Sequence, residues 1–332
     1  MVIKNKTIIK NSVQKKIKCE QEFGQINKIC LGKSKFLSLE NISGIPDYKD
    51  VIKFSIDDNP IKNIYLLSHN NNSFLSDHQI EFIVQIIKKT VRWIKNIFDI
   101  DNNTTFNLIL MGSTAKKYFP EKEKPLTENN VNSADSTFFS TGDINIRIYR
   151  KEELIKVLIH ETIHCTKVEK AVIPINNIYN VNGKLLLTEA VVEALATYIN
   201  CMIYSELFNK NINDLIINEI NFGILQTAKI LDHFNFTSII DFLENKNKKI
   251  IQKTAAFEYH ILKTILLMNF DKMIELLKKN ESLEKIITNE LKNKEYQTRV
   301  NEHIARIKNL PENIKKTFRM TMTDIRLNDI HY

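Results

Sequence analysis

The stretch IKVLIHETIHCTK, residues 155–167, places His160 and His164 four positions apart, with Glu161 directly after the first histidine. On a helix, residues four apart share one face about one turn apart, so both imidazoles can address a single ion. Glu161 lies one step around the helix from His160. It cannot easily enter the same coordination shell but can reach a water bound to the ion. That division of labour suits hydrolysis. The ion lowers the pKa of its water towards ~7 and polarises the scissile carbonyl, while the carboxylate takes the proton. Two histidines alone leave the site too open, so a third protein ligand is required and the fourth position is kept for water. Ligand type points to Zn2+, although other divalent ions accept two histidines and a carboxylate.

The elements that must carry these residues are legible around them. Leu154, Ile155, Leu158, Ile159 and Ile163 recur at helical spacing and predict a helix bearing the motif. Just before it, DINIRIY (143–149) alternates Ile144, Ile146 and Ile148 with Asn145, Arg147 and Tyr149, which predicts a half-exposed strand. FNLILMG (106–112) reads as a buried strand. Further upstream, Ile80, Ile83, Ile87, Val91, Ile94 and Ile97 predict a long helix over about 77–98, opened by a capping box of Ser76 and Gln79. Residues 1–70 read as short strands and turns, and HNNNS (69–73) is a seam. Beyond a loop between Val168 and Leu187, helical patterns run over about 188–208, 212–234, 251–269 and 282–308. The expectation is an α+β fold in three parts. Residues 1–70 form a cap or scaffold, 71–210 a catalytic core and 211–332 a helical subdomain.

In LLLTEAVVEALATYIN (185–200), Glu189 and Glu193 sit four apart on an apolar helix, where acids need partners. Together with the histidine motif, this stretch resembles the gluzincin metallopeptidases, the thermolysin-like class. The resemblance covers about two helices and the strand before them. It implies a zincin-like core in which a small sheet carries a long helix and the active-site helix. It further implies His160 and His164 as zinc ligands, Glu161 as general base and Glu189 as third ligand. Glu193 falls where the class often has an acid that orients a ligand histidine. The interval from His164 to Glu189 is longer than usual in the class, which keeps Glu193 or an acid elsewhere open as the alternative ligand. A donor for the developing oxyanion is also needed. Tyr259 is favoured, with His260, Tyr198 and His233 as alternatives. The strand before the active helix forms a sheet edge in this class, so residues 143–149 are expected to pair with a peptide substrate. Metzincins need a glycine and a third histidine after the motif, where Lys167 and Lys170 stand here. The Gly-x-Met-Glu-Asn signature of zinc aminopeptidases is missing.

Composition sets bounds on the rest. The chain has 332 residues and is 43% hydrophobic, enough for a sizeable core, and no apolar run approaches the ~18 residues that cross a bilayer. MVIKNKTIIKNSVQKK lacks the apolar core of a signal peptide, so a cytoplasmic protein without membrane association is expected. Cys19, Cys30, Cys165 and Cys201 show no C-x-x-C spacing and read as reduced thiols. Cys165 lies about 100° around the helix from His164 and reads as a small buried hydrophobe. The net charge of +8 comes from scattered lysines and not from a basic block, which disfavours a nucleic-acid partner. The Lys, Asn and Ile excess fits a large DNA virus or an AT-rich microbe. Two functional readings remain: a zinc metallopeptidase acting on peptides or proteins, and an inactive, zinc-stabilised interaction protein of the same fold.

Overall fold

The computed structural model describes residues 14–17, 50–58, 60–68, 75–100, 104–139, 144–176, 179–183 and 185–330. The chain is a mixed α+β protein in two compact units. The first comprises residues 1–116, 132–167 and 325–332, and the second 117–131 and 168–324. The boundary near 167/168 differs from the expected one near 210, and residues 50–68 are not set apart from the core. They supply strands to its sheet, because Val51, Phe54, Ile61, Ile64 and Leu66 need that sheet to be buried.

In the first unit, β1 (Gln14–Ile17), β2 (Asp50–Asp58), β3 (Ile61–Ser68), β4 (Phe106–Ser113), β5 (Ala134–Phe138) and β6 (Ile144–Arg150) form one sheet in the order β1-β2-β3-β4-β6-β5. β3, β4 and β6 run parallel, and the remaining pairs are antiparallel. β4 and β6 are almost wholly buried, as apolar parallel strands are. Their asparagines pair across the sheet. Asn63 Nδ2 donates to Asn107 Oδ1 (2.9 Å), and Asn107 Nδ2 donates to Asn145 Oδ1 (3.0 Å), a row of amides across β3, β4 and β6.

The expected edge strand is corrected here. β6 lies between β4 and β5, and all seven of its residues are buried. Arg147 is accommodated by a buried, bidentate pairing with Asp135 of β5 (2.8 and 2.6 Å), and Asn145 by the amide row. Among the described residues the outer strand on this side of the sheet is β5, β1 being the other, and Asp143 lies outside them.

α1 (Asp77–Phe98) has the expected span and its capping box. Ser76 N–H donates to Gln79 Oε1 (2.9 Å), and Gln79 N–H donates to Ser76 Oγ (3.3 Å). It packs on α2 (Leu154–Thr166), the motif helix, which also contacts β5 and β6.

The second unit is helical. α3 (Leu187–Phe208) and α4 (Ile212–His233) pack against a π-helical turn, Glu258–Leu262, that runs into α5 (Lys263–Met268). The helix expected over 251–269 therefore starts late, because residues 250–254 make bridges and bends in place of a first turn. The helix expected over 282–308 is divided into Glu284–Leu291 and α6 (Lys294–Arg306). Asn293 causes the break: its side chain accepts from the N–H groups of Glu295 (2.8 Å) and Tyr296 (3.3 Å), starting a new helix. Among the described residues, no helix is long and apolar enough to cross a membrane.

Candidate metal centre

α2 begins where the central sheet ends. Lys151 N–H donates to Ser113 O (2.8 Å) at the end of β4, Glu153 turns the chain at φ 58°, and Lys167 N–H closes the helix on His164 O (3.0 Å). Every residue of α2 is buried except His164, which is half-buried, so the helix reaches solvent at its second motif histidine. His160 Nε2 and His164 Nε2 lie 3.1 Å apart, with the rings inclined at 68°. Tetrahedral zinc, with Zn–N near 2.0–2.1 Å, sets two ligand nitrogens about 3.3 Å apart. The pair fits such an ion.

Glu161 is buried beside them, and its Oε2 accepts a 2.6 Å hydrogen bond from Ser136 Oγ on β5. Burial pushes its carboxyl group above the ordinary glutamate range. The charges of His160 and His164, and the Ser136 bond, oppose that shift. A raised pKa makes the carboxylate a better proton acceptor than an ordinary glutamate. Cys165 is buried, as a small hydrophobe on that face would be.

The other predicted site residues belong to the second unit. Glu189 is half-buried in the first turn of α3, and its Oε2 accepts from Tyr259 Oη (3.1 Å). Tyr259 sits in the π-helical turn, a feature that recurs at functional sites. Its neighbour Glu258 was not singled out by the sequence reading. Glu258 is fully buried. Its Oε1 accepts the N–H of Leu186 at the start of α3 (2.8 Å), and its Oε2 accepts from Gln252 Nε2 (2.9 Å). Burial raises its pKa, which the hydrogen bonds to Leu186 and Gln252 oppose. It thus satisfies an otherwise orphaned helix donor and fixes the start of the helix that carries Glu189. The sequence signal was an acid amid the apolar residues of AAFEYHILK.

Glu193 is fully buried one turn after Glu189. Its charge partly offsets the strong lowering of the His260 pKa, which burial causes and Lys263, Lys117 and Lys229 reinforce. The alternative oxyanion donors have packing roles. His260 stacks on Phe318 (ring centroids 4.4 Å apart), Tyr198 stacks on Phe270 (4.0 Å), and His233 Nε2 meets Lys124 O (2.9 Å). Tyr259 touches the predicted ligand Glu189.

No family model matches the sequence, and no solved structure matches it. A mimivirus protein, the uncharacterized protein R210 of Acanthamoeba polyphaga mimivirus, is 25% identical over 149 residues, which cover 41% of this chain. The chain spans about two fifths of that relative's length, 39% of it being matched.

Proposed function

We propose that this protein is a zinc-dependent metallopeptidase with a zincin-like first unit. His160 and His164 hold the ion and Glu161 is the general base, with Glu189 assigned as third ligand by the resemblance. The observation that carries the reading is the pair of imidazole nitrogens 3.1 Å apart with the Glu161 carboxylate on the same helix. The central strand, long α1 and motif-bearing α2 agree with a zincin-like core. When bound, zinc supplies a Lewis acid and an acidified water.

This chain's residues do the remaining work. Glu161 takes the proton of the attacking water and returns it to the leaving amine. Tyr259 holds the Glu189 carboxylate through its hydroxyl. Glu193 is assigned to orienting a ligand histidine, and Tyr259 to donating to the oxyanion, which requires its single hydroxyl proton to leave Glu189 Oε2 as the oxyanion forms. An extended peptide adds to the outer side of β5, whose backbone groups on that side face away from β6.

The test is metal content by mass spectrometry on wild type, His164→Ala, Glu189→Ala and Glu161→Gln, prepared without added metal, followed by a peptide-library cleavage assay. The expected result is about one zinc per chain in wild type and in Glu161→Gln, loss in the other two, and cleavage in wild type only. A wild type that takes up no zinc on reconstitution sinks the reading. If Glu189→Ala keeps its zinc, the third-ligand assignment moves to Glu193 or another acid. Zinc without cleavage in wild type leaves the zinc-stabilised interaction protein.

A further inference from the structure

We propose that Ser136 is a positioning residue for Glu161, an inference that rests on the hydrolytic reading above. Ser136 stands at the centre of β5, opposite Ile146 of β6, and is half-buried. Its hydroxyl donates to Glu161 Oε2 at 2.6 Å, the length of a charge-assisted hydrogen bond to a carboxylate. That bond occupies one carboxylate oxygen and leaves the other to exchange a proton.

The geometry gives this contact a consequence beyond stability. A glutamate side chain has three rotatable bonds, and helix α2 fixes only the first atom of the chain that ends at the carboxylate. The Ser136 bond ties the far end to the sheet. The tie runs to a strand that stands at one end of the sheet among the described residues. A peptide added to β5 would therefore be placed by the backbone of the strand whose side chain places the base. One strand then sets both positions relative to each other. Positional errors of about 1 Å between reacting groups cost roughly a hundredfold in rate.

The test uses the full chain with Ser136→Ala and Ser136→Thr. Threonine keeps the hydroxyl and suits a strand. Crystal structures of the metal-free proteins should show one Glu161 conformation, bonded to residue 136, in wild type and Ser136→Thr. In Ser136→Ala the Glu161 side chain should be displaced or spread over several rotamers. Zinc content should be equal in all three. Peptide hydrolysis by the zinc-loaded proteins should show kcat lowered about ten- to hundredfold in Ser136→Ala with KM unchanged, and within about threefold of wild type in Ser136→Thr.

An unmoved Glu161 in Ser136→Ala overturns the inference, as does an unchanged kcat, or a Ser136→Thr protein as slow as Ser136→Ala. A wild type that holds zinc and cleaves no peptide sinks the hydrolytic reading instead. The metal-free conformations then still decide the contact: displacement of Glu161 in Ser136→Ala supports it, and an unmoved carboxylate overturns it.

Discussion

Glu219→Ala should release the segment that closes the second unit, at a cost of about 3 kcal/mol. Glu219 lies on α4 with no solvent exposure, and its Oε1 accepts three hydrogen bonds from chain more than a hundred residues away. The donors are Thr321 Oγ1 (2.7 Å), Met322 N–H (3.0 Å) and Thr323 N–H (2.6 Å). Hydrogen bonds to a charged group contribute about 1.5–3 kcal/mol each. The full sum is not lost, because Thr321 Oγ1 and Thr323 N–H have a second, longer bond to each other (3.2 Å) and removal of a buried carboxylate recovers its desolvation cost. Glu219→Gln keeps an acceptor at Oε1 and should cost about 1 kcal/mol. Other side chains hold the same segment. Gln226 donates to Arg319 O (2.7 Å), Lys263 to Met320 O (2.9 Å) and Asn200 to Thr323 O (2.8 Å), so the loss should begin locally. Urea denaturation gives the stability change, and hydrogen exchange at the Met322 and Thr323 amides gives its location. An alanine variant within about 0.5 kcal/mol of wild type, or a glutamine variant as unstable as alanine, refutes the reasoning.

Three further outcomes follow from the second unit. Burial lowers the Lys229 pKa to about 7, and its amine donates to Ile314 O (2.7 Å) and Thr317 O (2.5 Å). Between that value and the ordinary 10.5, the unfolded chain binds the proton and the folded one does not, so this group makes stability rise with pH. The slope from this group is at most about 1.4 kcal/mol per pH unit. Lys229→Met should flatten the rise between pH 7.5 and 10, and parallel denaturation profiles would refute this. Gly223→Ala should destabilise by about 1–3 kcal/mol despite alanine's better helix propensity, because the new methyl would stand 2.0 Å from Thr264 Oγ1 on α5. Thr264→Ala should restore part of that loss in the double variant, as read by thermal unfolding. Tyr259→Phe should weaken zinc affinity about tenfold by removing a hydrogen bond from the Glu189 carboxylate, as measured by competition with a chelator. Unchanged affinity would leave Tyr259 no part in holding that ligand.

Periodicity made the elements with strong local signals legible. α1 carries both an apolar stripe and a capping box, and its span was readable; α2 carries the motif on an uninterrupted apolar pattern. β6 shows why alternation alone is ambiguous. Isoleucines spaced two apart with polar residues between them describe a half-exposed strand. They equally describe a buried one whose Arg147 meets Asp135 and whose Asn145 joins an amide row. Those partners lie on other strands. β5, ADSTF, is short and polar, with too little pattern to register as a strand, so neither the sheet edge nor Ser136 was accessible from sequence. The hydroxyl on Glu161 comes from 25 residues upstream, a separation that no helical or strand period encodes. The division into units was hidden for a related reason. Residues 117–131 join the second unit through distant contacts such as the bridge of Tyr118 to Thr317, which hydrophobic patterning does not display.

The placement of Glu189 depends on packing in the same way. The TEA spelling marks an acid in the first turn of a helix, where the exposed N–H groups favour negative charge, and by itself that is a common helix start. The π-helical turn distinguishes it from a common start. In that turn Glu258 and Tyr259, adjacent in sequence, reach two different parts of the same helix end. Glu258 bonds the Leu186 N–H before the helix, and Tyr259 bonds the Glu189 side chain within it. The expected consequence is that Glu258→Gln, which keeps an acceptor for Leu186, preserves zinc affinity, whereas Glu258→Ala lowers it although residue 258 touches no predicted ligand directly. Equal zinc affinity in both variants would show that the start of α3 is set by its own packing and not by the turn.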